Sequence, residues 1–363
     1  MKKLFFVVAL LAVVASCTKN EVISQNDGNK EITYLTAPLT KATTYGTDNK
    51  FYSFAYLVQG YGSNWADNSS TAATFIDHAL ISYNDNKWKA ATAYYWPKDA
   101  NSKLTFFAWG DGTPAPALAM GDCSNTTGIV FVDYNVATSK NKDLMVAKIA
   151  ADQKSNTASV NPPYGQDGVT QGVPTLFYHI LSSLVIQAKT DNAYTGYTFK
   201  VKSITFNDVC VKGTYTQGVN TQYLPTGAPA SGTAPHNDVW TEDVGTAATL
   251  NLYTASDADG NLIVNDGSSN TTPLNKTNST GSEYTIMLPH TLANYETVTI
   301  VYTVHNGSAL EEVTNTVNLN TIFTEGWLPG KKYTLTITLS LNEILWDPAV
   351  EVWDTGTSYS WSM

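Results

Sequence analysis

The chain has 363 residues, a formal net charge of −10 and only 14 % charged residues. An acidic chain without a basic cluster argues against nucleic acid as a partner, because phosphate binding needs clustered Lys and Arg. Tyr, Phe and Trp make up 12 %. Together with abundant Thr, Val and Ile, broken by Gly, Asn, Asp, Ser and Pro, they predict an all-β fold.

The first segment is an export signal. Lys2 and Lys3 precede the apolar run Leu4 to Val14, which is too short for a bilayer span of about 20 residues. Ala15 and Ser16 then lead to Cys17, a pattern that resembles a bacterial lipobox. It implies a signal peptide over residues 1–16, cleavage before Cys17 and lipid (palmitate) on that thiol. The mature chain is then a lipoprotein tied to a membrane, at least at first. Residues 17–30 are polar and read as a flexible tether. The other cysteines, Cys123 and Cys210, are expected as unpaired buried thiols, although an exported chain permits a disulfide.

Glu31 to Lys41 begins as a strand, and Pro38 marks an edge or an end. Phe51 to Val58 has no polar face, so it is expected to be covered on both sides. Ala79 to Ala90 reads as a hairpin turning at Asn84-Asp85-Asn86, and Leu104 to Trp109 as a further strand. Ile129 to Val132 and Leu144 to Ile149 follow. Asn156 to Pro174 lacks periodicity and suggests a boundary between domains at 31–172 and 173–363. Strands resume at Phe177 to Ala188 and Thr198 to Val211, then a Gly/Pro/Thr/Ala-rich excursion runs to Asn237. Later strands are Ala248 to Tyr253, Tyr284 to Leu288, Val298 to Val304 and Val313 to Leu319. Tyr333, Leu335, Ile337, Leu339 and Leu341 alternate with hydroxyl residues, the plainest period-two strand of the chain. Two sandwich-like β domains fit this spacing.

Chemistry is hard to find. The five histidines form no metal-ligand spacing, and there is no nucleophile elbow, P-loop or dinucleotide fingerprint. Hence no enzyme activity, metal or cofactor is expected. Asp257-Ala258-Asp259-Gly260 departs from a calcium loop and reads as a turn. Among nine tryptophans, Trp65 in a polar loop is the best candidate for a sugar-stacking platform, although core packing is the usual role.

Several blocks together resemble the fimbrillin-like lipoproteins of Bacteroidetes, the type V pilin superfamily. They are Tyr52 to Tyr56, Tyr95-Trp96-Pro97-Lys98 with Leu104 to Ala108, Asp143 to Ala147, Phe177 to Leu184, and Gly326-Trp327-Leu328-Pro329-Gly330-Lys331-Lys332-Tyr333. The resemblance implies two transthyretin-like β-sandwich domains in tandem, export to the cell surface and a role as a fimbrial subunit serving adhesion. It also implies proteolytic removal of the lipidated N-terminal strand and polymerisation by donor-strand exchange. Lys41, before Ala42, is the matching cleavage position, with a lysine where the family's best-known cleavages follow arginine. C-terminal strands are the candidate donors. Partners would be other fimbrial subunits, the outer membrane through Cys17, and a host or bacterial surface receptor. The alternative reading is a surface glycan-binding lipoprotein accessory to polysaccharide uptake. Exposed aromatics on one face would favour it, whereas a groove filled by residues 31–40 would favour the fimbrial subunit.

Overall fold

A computed structural model describes residues 31–36, 46–99, 101–117, 121–139, 142–154, 172–219, 239–243, 246–275, 284–307, 309–341 and 344–352. Cys17, Lys41 and Ala42 lie outside the described residues, as does most of the Gly/Pro-rich excursion.

Among the described residues the fold is β throughout, with only single helical turns such as α1 (Trp65–Asn68), α2 (Val136–Ser139) and α3 (Leu319–Ile322). The first strands are β1 (Tyr34–Thr36), β2 (Phe51–Val58), β3 (Ala73–Asn84), β4 (Lys87–Ala90), β5 (Lys103–Gly110), β6 (Asp122–Ser124) and β7 (Gly128–Asn135). Next come β8 (Met145–Ala147), β9 (Ala150–Gln153), β10 (Val173–Thr175), β11 (Phe177–His179), β12 (Ser182–Thr190), β13 (Thr198–Cys210), β14 (Lys212–Thr216) and β15 (Val239–Glu242). The remainder are β16 (Ala247–Thr254), β17 (Asn261–Leu262), β18 (Thr272–Pro273), β19 (Thr285–Met287), β20 (Thr297–His305), β21 (Leu310–Asn318), β22 (Lys331–Leu339) and β23 (Ile344–Val352).

These strands build four sheets. The largest runs β10-β1-β4-β3-β2-β5-β8-β11, with β9 also on β5. Its two ends, β10 and β11, are consecutive in the chain and separated only by Leu176. The path therefore closes into a ring. One face of β2 and β5, with Phe51, Ala55, Leu104 and Phe106, lies inside it in a core of its own. The other face, with Tyr52, Phe54, Phe107 and Trp109, packs outward against the sheet β15-β14-β7-β6, where Phe131 meets Trp109 edge-on at 5.3 Å. This is why β2 carries apolar residues on both faces.

The second half is a sandwich. Sheet β18-β12-β22-β23 carries Leu184, Ile186, Leu335 and Ile337 inward, against Phe199, Ile204, Val298 and Ile300 of sheet β16-β13-β20-β21. The period-two pattern of β22 appears as alternating burial along the strand. At the β3–β4 turn, Asp85 and Asn86 have φ of 53° and 60°, the left-handed pair that a two-residue hairpin needs.

One expectation changes. The apolar run 177–188 is not one strand: β11 ends in the ring at His179, and β12 begins at Ser182 in the sandwich. Pairing also joins strands from before and after residue 172. β10 and β11 complete the ring with β1 and β8, and β14 pairs with β7 although it follows β13. Ladders are set by non-local register, which a composition break does not report.

Candidate functional site

The site is the seat of the first strand. β1 lies between β10 and β4, parallel to the former over Tyr34–Thr36 and Val173–Thr175, and antiparallel to the latter at Tyr34 and Trp88. Ile32 N–H donates to Tyr94 O at 2.8 Å, and Val173 N–H donates to Thr33 O at 2.7 Å. Ile32 and Tyr34 are buried in the ring's inner core. The Tyr34 ring stands edge-on to Phe51 at 5.7 Å and to Phe106 at 6.0 Å.

The fit is close. The Tyr34 hydroxyl is buried against the Ser53 side chain, and burial pushes its pKa up. Its neighbour Gly172 is essential to the seat: a Cβ there would lie 2.8 Å from the Tyr34 carbonyl carbon and 3.0 Å from Leu35 N. Sequence reasoning placed Gly172 in a linker. Its only signal was the short alternation Val173-Pro174-Thr175 after the break, which local pattern alone does not tie to a strand so far upstream.

Burial of Ile32 and Tyr34 contributes about 3–6 kcal/mol, at about 1.5–3 kcal/mol per side chain. β1 is thus a modestly held occupant of a deep apolar slot.

The other sequence candidates are placed as follows. Trp65 is only 3 % exposed, and its indole N–H donates to Val219 O at 2.8 Å. It is a core residue because the polar loop around it turns its ring inward onto Phe107 at 5.6 Å. None of the described tryptophans is exposed. Cys123 on β6 and Cys210 on β13 are both free thiols. Asp257 accepts from the Asp259 and Gly260 amides, through its side chain and carbonyl respectively, so that segment is a turn. Among the described residues no group of three His, Cys, Asp or Glu could hold a metal ion.

The motif blocks do meet in space. Asp143 and His179 pair across the β8–β11 end of the ring. Trp327 is buried between Phe323 and Tyr333, at 4.4 and 5.0 Å, and Leu328 N–H donates to the Tyr333 hydroxyl at 2.8 Å. Ser182 Oγ–H donates to Leu328 O at 2.8 Å, and Gly330 N–H donates to Leu181 O at 2.9 Å. The Gly326 to Tyr333 turn therefore clamps the point where the chain passes from ring to sandwich.

Residues 40–353 match the family model described as fimbrillin-like. The chain belongs to the fimbrillin-like family. A solved fimbrial protein from Bacteroides vulgatus is 18 % identical, with a TM-score of 0.57, covering 90 % of this chain and all of that one. A candidate cell adhesion protein from Bacteroides uniformis is 19 % identical, with a TM-score of 0.50, covering 91 % of this chain and 99 % of that one. At such identities these two likenesses speak for the fold. No curated protein matches the chain. In this fimbrillin-like chain, an N-terminal strand is one of the staves of the closed ring.

Proposed function

We propose that the chain is a fimbrial subunit exported as a lipoprotein on Cys17, and that it polymerises by exchanging its first strand for one from a neighbour. The observation that carries this reading is the seat of β1. A three-residue strand, with Tyr34 buried in it and Ile32 buried just before it, fills a slot flanked by strand backbone on both sides. Removing it leaves unpaired donors and acceptors on β4 and β10 and an apolar trench between them, which is a template for strand addition. An incoming strand that buries four or five apolar side chains would gain about 6–15 kcal/mol before ordering costs. That exceeds what β1 contributes and would support durable fibres without covalent chemistry.

Cleavage after Lys41, before Ala42, would detach lipid and β1 together. All 21 basic residues of the chain are lysines, so the processing protease must accept lysine or ignore basic residues altogether. β23 is the donor best placed to leave its sheet. It is an edge strand of the sandwich, and Leu345 and Val350 are 51 % and 54 % exposed although their neighbours on β22 are largely buried. The fibre then displays the sandwich surface for adhesion to a host or bacterial receptor. Without cleavage, Cys17 holds a single subunit at the outer membrane.

Limited trypsin treatment of the purified protein tests this. Cleavage at Lys41 should yield oligomer ladders that resist sodium dodecyl sulfate, while an arginine-specific protease leaves the chain intact and monomeric. A trypsin-cut chain that stays monomeric under fibre-forming conditions removes the polymerising role.

A further inference from the structure

The sheet edges of this molecule are not alike. β23 carries Pro348, Asp347 and Glu351, and β18 ends in Pro273. β6 and β15 have three and four residues. β16 is interrupted by two register shifts against β13. Proline, charge, shortness and bulges are the devices by which proteins keep edges from pairing. β21 lacks the proline, shortness and bulges that blunt the others. It is nine residues long, pairs with β20 in unbroken register over all nine, and keeps its two charges, Glu311 and Glu312, at one end. No described strand covers its far side.

We propose that the β21 edge pairs with the β21 edge of a second copy of this chain, antiparallel and centred on Thr314. The choice of occupant follows from the side chains. The outward face of this sheet is polar, with a cross-strand row Asn251–Thr205–Thr299–Thr316 in which Thr205 and Asn251 lie 3.3 Å apart and Thr299 and Thr316 2.9 Å apart. An added strand must therefore be polar outward and small inward, which is the pattern of β21 itself: Glu312, Thr314 and Thr316 outward, Val313, Asn315 and Val317 inward. In the register centred on Thr314, each Glu312 faces the other copy's Thr316, and each Glu311 faces its Val317. No like charges stand opposite, and the Thr316 hydroxyl meets a carboxylate acceptor. Lys202, 2.6 Å from Glu312, further reduces repulsion between two acidic chains. Next to the centre, the buried Asn315 side-chain carbonyl has no donor among the described residues. This contact is a side-by-side one, on a different sheet from the β1 seat, and does not depend on strand exchange.

Charge substitution at the centre tests the register. Thr314 would face its own copy, so Thr314→Lys and Thr314→Asp each place like charges opposite, on an exposed position that tolerates either. Sedimentation velocity of the full chain in detergent should show a dimer for the unaltered protein. Each variant alone should dissociate at least tenfold more readily, and a mixture of the two should dimerise again. Thr314→Cys should form a disulfide-linked dimer on a non-reducing gel, and Thr316→Cys should not. A monomeric unaltered chain, a dimer indifferent to both charges, or equal cross-linking at both positions overturns the proposal.

Discussion

The backbone of Tyr34 passes so close to Gly172 that a side chain on the glycine would stand 2.8 Å from the Tyr34 carbonyl carbon. The first strand of the ring is thus held against a residue that follows it by more than a hundred positions, and the contact needs the smallest side chain. Replacing Gly172 with Ala should cost about 1–3 kcal/mol by overpacking. It should also speed hydrogen exchange at the β1 amides while leaving the sandwich strands protected. If trypsin triggers assembly, this variant should assemble faster at equal protease, because β1 is easier to displace.

Tyr34→Ala removes two aromatic contacts and opens a cavity in the inner core. A loss of about 3–5 kcal/mol is expected, visible as a lower melting temperature of the uncut chain. The cut and polymerised form should be indifferent to the same substitution, since its Tyr34 has departed.

His290 and Glu296 form a buried pair at the end of the sandwich. The His290 ring nitrogens face two oxygens, Leu288 O at 2.8 Å and Glu296 Oε1 at 2.7 Å, an arrangement that favours the doubly protonated ring. Burial opposes the charge on each group, but their mutual hydrogen bond and attraction prevail. The His290 pKa is raised and that of Glu296 lowered. The raised imidazole contributes stability fully present below its ordinary value of 6.5 and lost as pH rises through the folded value. The lowered carboxyl contributes stability present above its ordinary value of 4.5 and lost as pH falls through the folded value. Glu296→Gln should therefore cost most between those two ordinary values, about 3–5 kcal/mol, with the gap narrowing on either side. Urea unfolding at a series of pH values measures it.

Gly326 has φ of 71°, and a Cβ there would lie 2.4 Å from His290 O. Gly326→Ala should therefore cost more than Gly330→Ala, whose nearest neighbour would be His179 O at 3.1 Å. Chemical denaturation of the two variants side by side gives the order.

The strands were largely legible because period and composition mark them. β2 matches its expected bounds, Phe51 to Val58, and β22 shows its alternation as alternating burial. What local pattern cannot carry is pairing. β1 with β10, and β7 with β14, join segments that lie far apart in the chain. Trp65 shows the same limit, since a polar loop in sequence became a buried indole in space. The Asp143–His179 pair was visible only as two separate motif blocks, and its 2.9 Å contact belongs to the β8–β11 pairing.

The central claim is that the first strand leaves when subunits join. Mass spectrometry of the subunits recovered from detergent-resistant oligomers tests it most directly. The account predicts chains that begin at Ala42, with the segment carrying Ile32 and Tyr34 absent from the polymer. Oligomers whose subunits still retain Glu31 to Lys41 would contradict it.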